Sequence, residues 1–472
     1  MYYYMFPHLF LSFPRSWNEL LTLIIKSVYA FSLLILGLLN SITSIYVYLH
    51  YELFTIICVV SILFYFAFIK IKYPFWNLQP VFHTYDLCRY FYTQPFIIHQ
   101  YGPLKTKFNN DSLVKTYNYS EITEIQKKSF INLIQSYQTS DDSLLRMVSK
   151  KSMDATFSGN NEPSWLSLYC ECYCDILDIS SNSWYSSTSL SPNSSSLSDT
   201  SSIKLKYTDP IGCITSRPYH FNIDGHKQNV YYLDYICVDK HVKDTKKIYR
   251  TLLQTHEYNQ RIRCPHIPVS FIKTVDIPVY GVVPILQYIS YTYSMNNFVI
   301  TPLPDNINCV HIYKENKNIL TDFIEDETNM GSWDIHAIPS LGSIHSLVNS
   351  QLYYVFCLQR HNEILGYYFF KDGFLHDDST SSDTFICIGS KATRSLSKET
   401  FFFGFIHSMK RLFEIKQSYK TLVMEGTSHN VYLIEPLNRV LGYGKRFNSQ
   451  IYMYNYSFPS RQINPVNSFM LI

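Results

Sequence analysis

The sequence predicts an α+β protein in which two similar units share one large sheet, behind an apolar helical segment. Three observations carry this. From Tyr73 onward, stretches of helical and strand periodicity are interleaved along the chain. The order strand pair, central strand, helix occurs twice. Residues 20–72 are apolar almost throughout.

The apolar segment has two runs. Leu20–Leu49 carries Lys26 as its only charge, and the 17 residues Leu53–Ile69 carry none. A helix crosses a bilayer with about 20 apolar residues, so the first run suffices and the second lies at the short end. His50, Tyr51 and Glu52 break the two runs and predict a helical hairpin; one span followed by an interfacial segment is the alternative. A cleaved signal peptide is disfavoured, because the run is too long and no small-residue cleavage site follows. Lys70 and Lys72 place the remaining chain on the cytosolic side by the positive-inside rule.

The elements then follow in order. Glu121–Tyr137 has Ile125, Phe130, Leu133, Ile134 and Tyr137 at helical spacing. Tyr169–Ile179 reads as a strand, and the Ser-rich residues 180–202 as a disordered or mobile loop. Asp209–Ser216 resumes the strand pattern as the second arm of a hairpin. Tyr231–Val238 is a further strand and Lys246–Gln260 a helix. In the second half Tyr353–Leu358 and Ile364–Phe370 form a strand pair, Thr384–Ile388 a short strand and Phe401–Ile415 a helix. Thr421–Glu425 and Gln450–Tyr456 are strands.

Composition narrows the function. Lys and Arg number 40 against 37 Asp and Glu, a net charge of +3 without any long basic block, which argues against a nucleic-acid footprint. The 41 Tyr and 32 Phe beside only 15 Gly reflect AT-rich codons rather than an aromatic binding surface. Eleven cysteines, an odd number without framework spacing, point to a reducing compartment. Cys170, Cys172 and Cys174 share one face of a strand, but no zinc spacing accompanies them. They read as small buried side chains, and no metal site is predicted.

Five segments carry a resemblance. Tyr73–Val81 reads YPFWNLQPV. Asn132–Met147 sets Tyr137 before acidic residues and then Arg146. Pro163-Ser164-Trp165 precedes a strand. Ile211–Val238 contains IGCITSRP and then DYICV, followed by a lysine-rich turn. The chain closes with IYMYNY and the apolar SFMLI. In this order the set resembles the protein N-myristoyltransferases. Their motifs include Tyr-x-Phe-Trp-x-x-Gln-Pro-Val, Pro-Gly-Trp, Phe-Leu-Cys-Val before a basic turn, and an apolar terminal peptide.

The resemblance implies two fused halves of the acyl-CoA N-acyltransferase (GNAT-like) type around a continuous sheet. Residues 73–285 would form the acyl-CoA-binding half and 286–472 the peptide-binding half, behind a membrane anchor at 1–72. It implies transfer of a myristoyl or other long acyl chain from acyl-CoA to an N-terminal glycine amine, with acyl-CoA as co-substrate and no resident cofactor. The base would be the terminal carboxylate of Ile472, ionised at neutral pH. The oxyanion donors would be the backbone N–H groups of Tyr235 and Ile236, freed by a bulge. Thr274 would hold the amine. Tyr73, Phe75, Trp76, Cys237, Val238, Lys240, Lys243, Lys246 and Lys247 would hold CoA. On residue pattern alone, Tyr231–Val238 reads as a plain core strand, and the lysines are equally a solvated face.

Tyr137, Ser290, Ser390, Gly444 and Lys445 fall on the peptide side. Here the pattern departs from the family. Ser290 replaces a His and Ser390 an Asn, while Gly444-Lys445-Arg446 replaces Gly-Asp-Gly. The reversed charge predicts substrates without basic residues downstream. Asp244 interrupts the basic turn, and one residue is inserted there. The expected partners are acyl-CoA, glycine-initiated proteins and a membrane; nucleic acid is not among them, and the expected state is a monomer. The alternative is a catalytically silent or altered-specificity relative that binds acyl-CoA or the acceptor N-terminus at the membrane.

Overall fold

The computed structural model describes residues 24–25, 27–29, 31, 44–86, 91, 94–136, 144–170, 209–295, 302–330, 332–361, 363–377, 382–458 and 462–472. Its strands are β1 (Phe96–Ile97), β2 (Val114–Asn118), β3 (Leu144–Arg146), β4 (Trp165–Tyr169), β5 (Gly212–Ile223), β6 (His226–Val238), β7 (Ser270–Val275), β8 (Leu286–Ser294) and β9 (Asn308–Ile312). They continue with β10 (Ile335–Pro339), β11 (Tyr353–Arg360), β12 (Glu363–Asp377), β13 (Ser382–Ala392), β14 (Tyr419–Glu425), β15 (Arg446–Tyr454), β16 (Tyr456–Ser457) and β17 (Ser468–Met470). Among the described residues, fifteen of these form one sheet in the order β17-β10-β5-β6-β7-β15-β8-β14-β13-β12-β11-β9. Strands β4 and β2 branch from β5, and β3 pairs with β12.

The predicted repetition is present. An antiparallel hairpin, β5–β6, leads through helix Thr245–Arg263 to β7, parallel to β6. A second hairpin, β12–β13, leads through helix Lys398–Ile415 to β14, parallel to β13. Both helices form for local reasons. Asp244 caps the first, whose last turn carries Arg261 and Arg263. Ser397 caps the second, with Glu399 in its first turn and Phe401, Phe405, Met409 and Leu412 buried at helical spacing.

Each of these two hairpin–helix–strand units is followed by a strand that pairs with the other unit. Strand β8 follows β7 in sequence but pairs with β14, and β15 follows β14 but pairs with β7. The two exchanged strands pair with each other. The exchange makes the sheet continuous, so a seam between halves would cost a whole ladder of hydrogen bonds.

The chain's last residues close the sheet. Strand β17 runs parallel to β10, with His336 opposite Phe469 and Ala337 opposite Met470. Strand alternation sends Phe469 and Leu471 into an apolar cluster with Phe323, Trp333 and Phe369. Met470 and Ile472 enter a second cluster with Phe271, Leu286 and Ile451. The Phe469 ring stacks on Trp333 with centroids 5.4 Å apart. The four residues are at most 1% exposed, so the tail belongs to both cores.

One sequence expectation needs correction. Helix Ser44–Lys72 runs without interruption through His50, Tyr51 and Glu52, so the polar residues do not make a turn. None of them breaks a helix as Gly or Pro would. The Phe31 and Phe54 rings nonetheless stack 6.3 Å apart, which sets the first apolar run beside the second. Leu53–Lys72 has a mean hydropathy of 2.4 and a largely exposed surface; it is long and apolar enough to cross a membrane. Of the predicted strand Tyr169–Ile179 only Tyr169 and Cys170 are described, and Tyr169 ends β4 (Trp165–Tyr169), which is buried on both faces. The remainder of that strand, with Cys172 and Cys174, and residues 180–202 lie outside the described residues.

Phe469→Ala is expected to lower stability by about 3–5 kcal/mol, the usual cost of a large core cavity, as measured by denaturant unfolding of the purified protein.

Candidate active site

The site begins with a defect in β6. Asp234 lies opposite Thr215 and Cys237 opposite Cys213, so Tyr235 and Ile236 together face Ile214. This is a β-bulge. Tyr235 takes up the extra length at φ +47°, a left-handed conformation that costs a non-glycine residue roughly 1–2 kcal/mol. Its N–H donates to Asp234 Oδ1 at 2.9 Å. Its ring is edge-on to Phe130, and Phe130 and Phe157 each lie 6.3 Å from it. On the other side β7 follows β6 only from Tyr231 to Leu233, and beyond that the two strands separate. The bulge and the separation fall on the same residues.

A cavity of about 370 Å³ opens there, lined by Arg217, Asp234, Tyr235, Lys273, Tyr353 and Lys371 among others. Its walls carry charge in pairs. Arg217 Nη2 lies 3.2 Å from Asp234 Oδ2. Lys273 bonds to Glu425, which also accepts from the Tyr288 hydroxyl at 2.9 Å. Lys371 Nζ donates to a main-chain oxygen of Ile472 at 2.7 Å. The hydroxyls of Tyr219 and Tyr353 both donate to the Leu471 carbonyl, at 3.3 and 3.2 Å. The end of the chain is thus held by three side chains from β5, β11 and β12.

Electrostatics follow from this enclosure. Burial first, and then the neighbouring Lys273, push the Lys371 ammonium down to about 8, against Glu425 and Asp234. Lys371 is only partly exposed and lines the cavity, so the surrounding protein, rather than its own contact area, sets the desolvation. Burial pushes the Tyr219 hydroxyl up to about 12 and that of Tyr353 well above its ordinary range, so both remain donors.

The residues expected on the CoA side also converge. Phe75 packs edge-on to Trp76 and Phe108, at 5.1 and 5.0 Å. It shares an apolar cluster with Val238, Ile248 and Leu252, against which Trp76 packs. Tyr73 stacks on Tyr280 at 5.2 Å. Cys237 is buried on the opposite side of β6, in the cluster beneath the bulge. Lys240, Lys243, Lys246 and Lys247 are exposed around the start of helix Thr245–Arg263. Asp244, the interruption in the basic turn, accepts from the Lys247 N–H and is the helix N-cap.

The peptide-side residues do not gather on the cavity. Thr274 is half-buried with its hydroxyl oxygen enclosed and unpaired, but Lys273 and Val275 are the residues of β7 that line the cavity. Alternation along a strand puts Thr274 on the other face. Ser290 Oγ lies 3.3 Å from Ser449 Oγ. The Ser390 N–H donates to Ser428 Oγ at 3.0 Å, leaving its own hydroxyl buried and unpaired. Gly444 and Lys445 lie at the β8–β15 end, hydrogen-bonded to Thr292. Tyr137 is outside the described residues.

Arg217, Asp234, Lys273, Lys371 and Glu425 escaped the sequence reading. Lys371 and Glu425 end the apolar runs YYFFK and LVME, and Asp234 and Lys273 interrupt YYLDYICV and SFIKTV; such a charge is seldom buried without a partner.

Asp234→Ala removes the carboxylate that Arg217 and the Tyr235 N–H both use. We expect a loss on the order of 3 kcal/mol in unfolding free energy, with much of it recovered in an Arg217→Met, Asp234→Ala double variant.

No protein-family model matches the chain, and no curated protein matches it by sequence. Solved structures do match. Saccharomyces cerevisiae N-myristoyltransferase with bound myristoyl-CoA superposes with TM-score 0.60 at 10% identity, covering 84% of this chain and 91% of that one. A second structure of that yeast enzyme with myristoyl-CoA gives TM-score 0.58 at 12% identity, covering 84% and 96%. A third, with myristoyl-CoA and inhibitors, gives 0.60 at 11%, covering 84% and 92%. The bulged and splayed β6, the exchanged strands and the inserted tail thus sit in an N-myristoyltransferase fold that extends over most of the chain.

Proposed function

We propose that this protein is an acyl-CoA-dependent N-acyltransferase that moves a long acyl chain, myristoyl being the reference case, onto the N-terminal glycine amine of proteins. The observation that carries this is the burial of Ile472, whose main-chain oxygen is reached through Lys371 from the cavity against the Tyr235 bulge. Most chain ends fray in solvent. One inserted between two cores is held for a purpose that a frayed end cannot serve.

The roles follow from position. The Tyr73–Trp76 segment and the lysines at the start of helix Thr245–Arg263 hold the CoA portion, the lysines and helix N-terminal amides supplying charge for its phosphates. The acyl thioester lies along the separated edge of β6. Ile236 falls outside both strand registers, and its N–H is the oxyanion donor. Tyr235 shapes the bulge, because its own N–H is already directed at Asp234. Ile472 supplies the terminal carboxylate beside the acceptor amine. The apolar helix Leu53–Lys72 anchors the protein in a membrane, with the catalytic part on the cytosolic side beside Lys70 and Lys72. Acyl donor and acylated product both favour that surface. The protein acts as a monomer.

A second reading has one observation in its favour. With the Tyr235 N–H engaged, only one of the two expected oxyanion donors remains, which suits a silent acyl-CoA or N-terminus binder. Turnover of myristoyl-CoA with a glycine-initiated peptide separates the two.

Adding one residue after Ile472 is expected to lower kcat/KM on the order of 100-fold by displacing the terminal carboxylate, with acyl-CoA binding retained. Full activity with a bulky C-terminal fusion would exclude this mechanism. Lys240→Glu with Lys243→Glu is expected to raise the acyl-CoA KM about tenfold, with a smaller change in the peptide KM; initial rates with each substrate varied in turn decide it.

A further inference from the structure

The helix Ser44–Lys72 is seated on the globular part by its last turns. The Phe66 ring lies 6.3 Å from that of Tyr85, Lys70 Nζ stands 4.6 Å over the Tyr85 ring, and Ile69 is buried beside Gly281. Lys70 and Lys72 end the apolar window, so a membrane crossed by this helix has its surface beside them. Lys70 also lines a second cavity, of about 670 Å³, that shares no lining residue with the one at the chain end.

One wall of this cavity is helix Thr245–Arg263, where Gln254, Tyr258 and Arg261 share a face by helical spacing. Arg261 is 3% exposed; its Nη2 donates to the His99 carbonyl at 3.2 Å, and its Nε is buried without a partner. Glu257, one turn earlier, does not bond to it, because both Glu257 oxygens are themselves unpaired. Gln254 Oε1 is likewise buried and unpaired. Lys105 and Lys107 add two cations to the lining, the first bonded to Asp111 at 2.7 Å. Among the described residues, the one carboxylate in the lining is Asp86, to which the His83 main-chain N–H donates at 3.0 Å. Positive charge is therefore in excess, and an enclosed guanidinium edge lacks an acceptor. Leu78 and Leu104, also on the lining, are 45% and 70% exposed, and Tyr101, three residues before Leu104, is fully exposed.

We infer that this cavity binds the phosphate headgroup of an anionic phospholipid of the membrane that the helix crosses. This rests on the reading above, in which the apolar helix is a membrane anchor. A basic pocket with an apolar rim, at the foot of a membrane-crossing helix, matches the layering of the bilayer surface, where phosphates lie over the first acyl carbons. Arg261 Nε, Lys70 and Lys107 take the phosphate oxygens, and Gln254 Oε1 accepts from a headgroup hydroxyl or ammonium. Leu78, Tyr101 and Leu104 lie against the acyl chains. The lysines assigned to the CoA phosphates stand at the other end of helix Thr245–Arg263, roughly 20 Å away along its axis. The lipid ties the globular part to the bilayer at a second point and so fixes its tilt about the helix.

Calorimetry of the full-length protein in a neutral detergent, with soluble short-chain lipids, tests this. Dihexanoyl phosphatidic acid and dihexanoyl phosphatidylserine should bind, one per chain, about tenfold more tightly than dihexanoyl phosphatidylcholine, and saturating CoA should not displace them. Lys70→Gln with Lys107→Gln, both at exposed positions, should weaken phosphatidic acid about tenfold, and Arg261→Gln should abolish its binding. The exposed pair decides if the Arg261 variant fails to fold. Equal affinity for phosphatidylcholine, inorganic phosphate binding as tightly as phosphatidic acid, displacement by CoA, or unchanged binding in the lysine double variant overturns the inference. Flotation with vesicles of phosphatidylcholine alone, which needs the apolar helix and not the cavity, checks the anchor separately. A chain that floats but has no preference for anionic lipid overturns the headgroup site and leaves the anchor standing; a chain that does not float overturns both.

Discussion

The hydrogen bonds that hold the chain's end are the constraint on which the remainder depends. Leu471 and Ile472 receive three of them, from Tyr219, Tyr353 and Lys371, and those side chains stand on strands from both halves of the molecule. Each donor is buried or nearly so, and each would pay a desolvation penalty if the tail withdrew. The alternation of Phe469, Met470, Leu471 and Ile472 between two apolar clusters adds burial that neither half could complete alone. Tail insertion and the closing of the two cores are therefore one event.

That event also builds the cavity. Strand β6 must bulge at Tyr235 because β5 and β6 share a register on either side that differs by one residue. Strand β7 pairs with β6 only through Ser270, Phe271 and Ile272, whereas its pairing with β15 on the other edge continues to Val275. A bulge and a splay on the same residues give an edge of backbone groups beside a charged pocket. The left-handed backbone at Tyr235 is tolerated because its ring is fixed among Phe130 and Phe157 and its N–H has the Asp234 carboxylate.

The charges around the cavity illustrate how a sheet of this size carries polar groups inside. None of the five strand charges is alone: Arg217 and Asp234 join neighbouring strands, Lys273 and Glu425 meet across the two strands between β7 and β14, and Lys371 reaches Ile472. Such a network contributes little net stability over an apolar core but makes the removal of one member expensive. It also sets the electrostatic character of any ligand that enters, since Arg217, Lys273 and Lys371 line the pocket together with Asp234 and Asp372.

Much of the architecture could be read from residues alone. The repeated order of strand pair, central strand and helix was visible in hydrophobic period, and so was an apolar helical segment before Lys72, because both depend on local spacing; β7, the strand after the first helix, was not read. The tail SFMLI announced its own burial, since four large apolar residues with no charge after Arg461 have nowhere favourable to go in water. The place of the Tyr235 bulge came from resemblance to a known motif, not from periodicity. Thr274 came from the resemblance alone, and the strand alternation that separates it from Lys273 and Val275 on the cavity is decided by the sheet. The lone charges Arg217, Lys273, Lys371 and Glu425 were legible as anomalies but not as partners. Their meeting depends on the exchange of β8 and β15 and on the seating of β17, contacts between segments up to 250 residues apart that no local pattern encodes. Sequence determined which pieces form and which end is apolar; the tertiary structure decided which charges face one another and that a lysine occupies the place beside the last residue.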